Sequence, residues 1–200
     1  MELLDQLADH TSVLDRTVNS QGRIVVEIVD RLCLCFRSDA RLFFCGNGGS
    51  AADAQHFAAE FVNRLHRERR ALAALALTTD TSVLTCIAND ASYEQVFARQ
   101  IEALGTRGDV LVALSTSGTS ANVLAAAAAA REVGMTVVGF TGECGTEPMA
   151  AVCDLVVAVA SADCARIQEG HEFLWHFIAD QVERKLFAGK REAVGAIAPA

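Results

Sequence analysis

Basic residues are in the minority in this chain of 200 residues: 17 lysines and arginines stand against 25 aspartates and glutamates, a formal net charge of −8. That balance excludes broad nucleic-acid binding, which needs a surplus of cations to displace counterions from a phosphate backbone. It leaves room for a small phosphate held by hydroxyl and amide groups. Cysteine pairs are missing too. The cysteines, Cys33, Cys35, Cys45, Cys86, Cys144, Cys153 and Cys164, are odd in number, and none stands in a CxxC pair. Most lie in apolar runs, where a cysteine behaves as a small hydrophobe, so they are read as reduced thiols of a cytoplasmic protein. Long apolar runs are absent: the alanines at 125–130 fall far short of the roughly 20 residues a bilayer requires. The opening Met1-Glu2-Leu3-Leu4-Asp5 is acidic and amphipathic, so no signal peptide is expected. Proline and aromatic residues are scarce in a chain that is 52% hydrophobic. Alanine and valine therefore dominate, and closely packed layers are expected. The length suits one domain with a sizeable core.

What is present is a regular alternation. Residues 2–37 carry Leu3, Leu7, Leu14, Val18, Val25, Val29, Leu32 and Phe36 at steps of three, four and seven, the apolar stripe of one or two helices. Short apolar runs at 41–45, 73–77, 110–114, 136–140 and 154–158 lack strict alternation, as strands covered on both faces do. Helical patterns at 51–65, 81–88, 93–104, 121–133 and 164–186 separate and follow them. The order implies a parallel sheet with helices on both sides, whose ligands bind beyond the carboxyl ends of the strands. Residues 188–200 have no clear period and are expected to fray.

Two loops after strands carry the polar chemistry. Gly46-Asn47-Gly48-Gly49-Ser50 is a glycine-rich turn that lets a ligand touch the backbone. Ser50 is expected to cap the helix that follows, aiming its first amides at whatever lies over the turn. The turn is not GxGxxG and has no acidic residue at the distance a nicotinamide cofactor needs, so no nucleotide cofactor is expected. On the following helix His56 and Glu60 are four apart, hence on one face. Ser115-Thr116-Ser117-Gly118-Thr119-Ser120 groups five hydroxyls around one glycine ahead of a helix. That arrangement can wrap a phosphate but lacks the lysine of a triphosphate-binding loop. Asn89-Asp90 is consistent with a turn and cap. Gln168, Glu172 and His176 share a stripe on the last helix, with His171 on another side among Ile167, Leu174 and Ile178. His171 is therefore read as a packed or interfacial histidine, His66 as solvated among arginines, and His10 as lacking an evident partner.

In this order these pieces resemble the sugar isomerase (SIS) domain family, and within it the phosphoheptose isomerases. The resemblance rests on CGNGGSAADAQHFAAEF from Cys45, ANDASYEQVFARQIEALGTRGDVL from Ala88, STSGTSANV from Ser115 and RIQEGHEFLWH from Arg166. It covers 41–187 and leaves 1–40 as an N-terminal helical segment and 188–200 as a tail within a single domain, 1–200. It implies an α/β three-layer SIS fold with a five-stranded parallel sheet, and a homotetramer with sites between subunits. It implies that Asn47, Gly48, Gly49, Ser50, Asn89, Asp90, Ser115, Thr116, Ser117, Ser120 and Gln168 hold a sugar phosphate, with Arg64, one turn beyond Glu60, facing the substrate. Glu60 and His176 would be the catalytic pair, and zinc, carried by some members, would be bound by His56, Glu60, Gln168 and His176. The segment 65–74 lacks the prolines common there in the family, so that loop is expected to differ.

The activity so implied is aldose–ketose interconversion of sedoheptulose 7-phosphate and D-glycero-D-manno-heptose 7-phosphate through an enediol. Glu60 would act as the base and His176 would move protons between the oxygens. Two other readings stand beside it: a non-catalytic SIS protein that binds a replication initiator, and a sugar-phosphate-sensing regulator. The first family lacks an acid at the position of Glu60 and a histidine at that of His176, both present here. The second would bring a DNA-binding domain, and no basic stretch or helix-turn-helix is visible. No nucleic-acid or membrane partner is expected.

Overall fold

The computed structural model describes residues 2–188; the tail expected to fray lies almost wholly outside them. Five parallel strands, β1 (Leu42–Cys45), β2 (Ala74–Ala76), β3 (Val110–Leu114), β4 (Thr136–Gly142) and β5 (Leu155–Val159), form one sheet in the order β2-β1-β3-β4-β5. Phe43 pairs with Leu75 on one side and with Leu111 on the other. Seven α-helices accompany them among the described residues: α1 (Leu3–Arg37), α2 (Gly49–Val62), α3 (Thr81–Asp90), α4 (Ala98–Leu104), α5 (Ala121–Glu132), α6 (Thr146–Ala150) and α7 (Cys164–Leu186).

The apolar runs at the strands are explained by two covered faces. Leu42 and Phe44 point to a core shared with Phe57, Phe61, Trp175 and Ile178 under α1, α2 and α7. Phe43 and Cys45 point the other way, to Val96, Phe97, Ile101, Val123 and Ala127 under α4 and α5. The small residues along α5 let that helix lie close to the sheet: Ala126, Ala127 and Ala130 are fully buried. On the opposite face Trp175 is fully buried and meets four phenylalanine rings, with centroids 5.0 Å from Phe44, 5.1 Å from Phe57, 5.7 Å from Phe61 and 5.9 Å from Phe140. Truncating such a side chain costs about 3–5 kcal/mol.

The N-terminal stripe forms one continuous helix of 35 residues, about 52 Å long at 1.5 Å per residue. Only its second half follows the expected stripe, with Val25, Val29, Leu32 and Phe36 buried. In the first half the covered line runs through Val13, packed with Val159 and Ile167, and Thr17. Leu3, Leu7 and Val18 remain exposed within this chain.

The chain winds outward from β1 to β2, then returns across β1 to β3. The loops after β1 and β3 therefore diverge at a switch point, the place where an open parallel sheet leaves a crevice. These are the glycine-rich turn and the hydroxyl loop.

Candidate active site

At the end of β1, Gly46, Asn47 and Gly48 turn the chain into α2. The N-cap is Gly48, at φ 57°, and Ser50 lies inside the helix, buried. This corrects the cap expected at Ser50. A residue with positive φ already breaks the strand direction at Gly48, so the helix starts two residues earlier and the serine hydroxyl is not needed there. At its other end α2 stops at Val62 rather than at 65. Arg64 consequently lies beyond the helix, where it pairs with Glu68 at 3.2 Å.

The hydroxyl loop opens at the end of β3. Ser115 is buried and its Oγ donates to Ser120 Oγ at 3.0 Å; Ser117 Oγ and Thr119 Oγ1 are also 3.0 Å apart. Ser120 is the N-cap of α5, but its side chain makes no capping bond. That hydroxyl and the first amides of α5 therefore face the same loop, a disposition suited to an anion. Gly118, at φ 69°, presses against Gly145, so closely that a Cβ on Gly118 would overlap the Gly145 backbone. This contact holds the hydroxyl loop against the loop after β4.

The two loops are joined side chain to side chain. Asn47 Nδ2 donates to Asn122 Oδ1 at 2.8 Å, Asn122 Nδ2 donates to Asn47 Oδ1 at 2.9 Å, and the Tyr93 hydroxyl donates to Asn47 Oδ1 at 3.1 Å. Asn122 is buried, so the reciprocal amide pair fixes Asn47 from beneath. Local sequence pattern does not single out Asn122 or Tyr93, because Asn47, their partner, is distant in the chain. Asn89 and Asp90 form the last turn of α3, exposed, with Asn89 Nδ2 donating to Asp90 Oδ1 at 2.7 Å.

Helices α2 and α7 lie side by side and run in the same direction, both starting at the carboxyl edge of the sheet. Three levels of contact mark the register. At the top, Gly49 lies under the Gln168 carboxamide, so closely that a Cβ there would overlap Nε2 and sit 3.0 Å from Cδ. In the middle, His56 Nε2 and His176 Nε2 are 2.9 Å apart, and His56 Nε2 is 3.8 Å from Glu60 Oε1. At the bottom, residues just past α2 bind Glu183 of α7.

The middle level gathers the side chains able to bind an ion or move a proton. One ligand atom from each of His56, Glu60 and His176 lies within 4.8 Å of the others. When both imidazoles are neutral, one Nε2 must donate and the other accept. Two nitrogens and one carboxylate oxygen converging in this way also match the His₂Glu donor set of catalytic zinc sites, so these residues fit such an ion. Asp53, one turn before His56 on α2, is nearly buried and its Oδ2 has no hydrogen-bond partner. Burial, with the nearby Glu172 carboxylate, pushes Asp53 up to about 6 while His56 pulls it down. Asp53 lies in the quoted glycine-rich stretch, but nothing in its spacing set it apart.

The remaining histidines divide. His171 is wholly buried and packs edge-on against Phe140; its Nε2 donates to the Thr141 carbonyl at 3.2 Å. Burial drives it down to about 4, which keeps it a neutral packed residue. His66 is exposed. His10 has a partner after all: Nδ1 lies 2.6 Å from Glu169 Oε2, next to the Arg166–Glu169 pair at 2.7 Å. That contact joins residues 159 apart in sequence, beyond the reach of local pattern.

Comparison with known proteins finds relatives over most of the chain. The SIS domain family model matches residues 7–142. The chain is 52% identical over 185 residues to a phosphoheptose isomerase of Roseiflexus sp. (strain RS-1), covering 92% of this chain and 93% of that one. A solved phosphoheptose isomerase from Neisseria gonorrhoeae superposes with a TM-score of 0.80 at 42% identity, over 91% of this chain and 99% of that one. One from Francisella tularensis gives 0.82 at 29% identity, over 92% and 100%.

Proposed function

This chain belongs to the SIS domain family and, within it, to the phosphoheptose isomerases, and from that premise we propose that it interconverts sedoheptulose 7-phosphate and D-glycero-D-manno-heptose 7-phosphate with Glu60 and His176 as the reacting groups. The observation that carries this reading is the convergence of Glu60, His56 and His176 from two helices.

The phosphate is assigned to Ser115, Thr116, Ser117 and Ser120 with the first amides of α5, and the sugar to Asn47, Gly48, Gly49, Ser50 and Gln168. Asn89, Asp90 and Arg64 are exposed in this chain; their proposed part is to reach the sugar across a subunit boundary. Glu60 removes a proton from the carbon beside the carbonyl, giving the enediol. The same carboxylate returns the proton at the adjacent carbon. His176 shuttles a proton between the two oxygens, which suits an imidazole near neutral pH. His56, Glu60, Gln168 and His176 would hold zinc, and that ion supplies Lewis-acid polarisation of the carbonyl when bound.

The assembly proposed is a homotetramer with sites between subunits. Supporting it are large apolar side chains left uncovered within one chain: Leu3, Leu4 and Leu7 at the start of α1, and Phe173 and Phe177 on α7. No helix among the described residues is long and apolar enough to cross a membrane. Seven free thiols suit the reducing cytoplasm. The two non-enzymatic readings have no use for an acid meeting two imidazoles. The deciding experiment is to incubate the purified protein with sedoheptulose 7-phosphate and look for an aldoheptose 7-phosphate. Its appearance supports the assignment, and an unchanged substrate refutes it.

A further inference from the structure

We propose that Arg69 and Glu183 are a positioning pair for the isomerisation: a buried ion pair that sets the approach of α2 to α7, and so the placement of Glu60 against His176. The inference rests on the functional reading above.

The pair is fully enclosed. Both side chains have 0% exposure, and Arg69 Nε donates to Glu183 Oε1 at 3.0 Å. Each partner also holds backbone that belongs to α2 or to the loop just after it. The Arg69 guanidinium donates to the Glu60 carbonyl at 2.6 Å and to the Phe61 carbonyl at 2.8 Å. These are among the last carbonyls of α2, which have no partner inside the helix, and a cation there also complements the helix dipole. Glu183 accepts from the Leu65 amide at 3.0 Å and from the His66 and Arg67 amides at 2.9 and 3.0 Å. Its lone pairs are thus satisfied by four donors. Burial alone would raise Glu183, but these amides and Arg69 together bring it below the usual carboxylate range, so it stays ionised.

Position makes this anchor specific. Glu183 lies seven residues after His176 on α7, nearly the same face of the helix. Arg69 grips the backbone carbonyl of Glu60 itself. The pair therefore ties one proposed reacting residue to the helix of the other by a chain of two side chains. A buried pair seldom adds net stability over an apolar substitute, whereas breaking it leaves an unpaired charge. Its distinctive product is geometry, and misplacing a reacting group by about 1 Å can cost on the order of 100-fold in rate. The hydroxyl loop belongs to β3 and α5 on the other side of the crevice, so phosphate binding should be spared.

The test is steady-state turnover of sedoheptulose 7-phosphate by wild type, Glu183→Gln, Arg69→Lys and Arg69→Ala, with circular dichroism and thermal melting to count folded protein. The expected result is a kcat lowered by about tenfold or more per folded molecule, with KM within about twofold. Arg69→Ala should regain part of its kcat when guanidinium is added at tens of millimolar, because the ion refills the vacated space; a merely destabilised variant would lose more activity. Folded variants with wild-type kcat would overturn the inference. So would equal losses in kcat and folded fraction, or failure of all three variants to fold, which would leave a structural anchor only. An inactive wild-type protein would instead overturn the isomerase reading, and this inference with it.

Discussion

Replacing Gly49 with alanine isolates one contact at the top of the α2–α7 seam. Gly49 is the first residue of α2, and its φ is not among the positive ones, so alanine fits the backbone. In a helix alanine is preferred over glycine by up to about 1 kcal/mol. The new methyl would overlap Gln168 Nε2 and lie 3.0 Å from its Cδ. The carboxamide must therefore retreat by about 1 Å to regain ordinary contact. Gln168 is the end of a flexible, partly exposed side chain, so folding should lose little. If Gln168 touches the sugar or an ion, activity should fall by roughly 10- to 100-fold. The assay pairs a thermal melt with turnover of sedoheptulose 7-phosphate. The expected outcome is a melting temperature equal to or above wild type with a much lower kcat/KM. Gly118→Ala is the contrasting control: its Cβ would overlap the Gly145 backbone at φ 69°, which cannot yield, so stability itself should drop by at least 1–3 kcal/mol. Wild-type activity in Gly49→Ala would refute the role given to Gln168.

Three other outcomes follow from the site and its surroundings. Ser117→Ala combined with Ser120→Ala should raise KM for sedoheptulose 7-phosphate by about tenfold or more, through lost hydrogen bonds to a charged phosphate; an unchanged KM would move the phosphate elsewhere. Zinc near one per chain in the purified protein, lost in a His56→Ala, His176→Ala variant, should accompany the donor set described above, and equal zinc in both would contradict it. Acid stability should reveal two opposed groups. His171, lowered to about 4 from 6.5, takes stability away as pH falls through that window. Asp53, raised from 3.8 to about 6, adds stability over nearly the same window. Each is worth about 3 kcal/mol at most, so the wild type should vary little between pH 6 and 4. Denaturant midpoints should then rise on acidification in His171→Gln and fall in Asp53→Asn. Parallel profiles in the two variants would show that these environments are misread.

Much of this architecture is legible in the sequence. The stretch 110–114 coincides with β3, and the other four strands fall within about two residues of their apolar runs, because a doubly covered strand must be apolar throughout. His171 was legible as packed because it shares a stripe with Ile167, Leu174 and Ile178. The misreadings concern what distant residues impose. Helix α2 ends at Val62, where Arg69 takes up its last carbonyls and Glu183 takes up the amides just beyond it, and Glu183 is over a hundred residues away in sequence. The start of α2 was set by the positive φ of Gly48, where the serine signal was the more conspicuous. His10 and Asn122 acquired roles through partners 159 and 75 residues distant. The first half of α1 buries a line through Val13 and Thr17, because β5 and the start of α7 come beside it.

The most direct test of the central claim, that Glu60 and His176 meet over the sugar to pass a proton, is isomerisation in deuterium oxide followed by NMR. Wild type should convert sedoheptulose 7-phosphate to an aldoheptose 7-phosphate carrying deuterium at C2. Glu60→Gln should stay folded, still bind the substrate, and show neither product nor exchange. Turnover or exchange by Glu60→Gln at the wild-type rate would contradict the account.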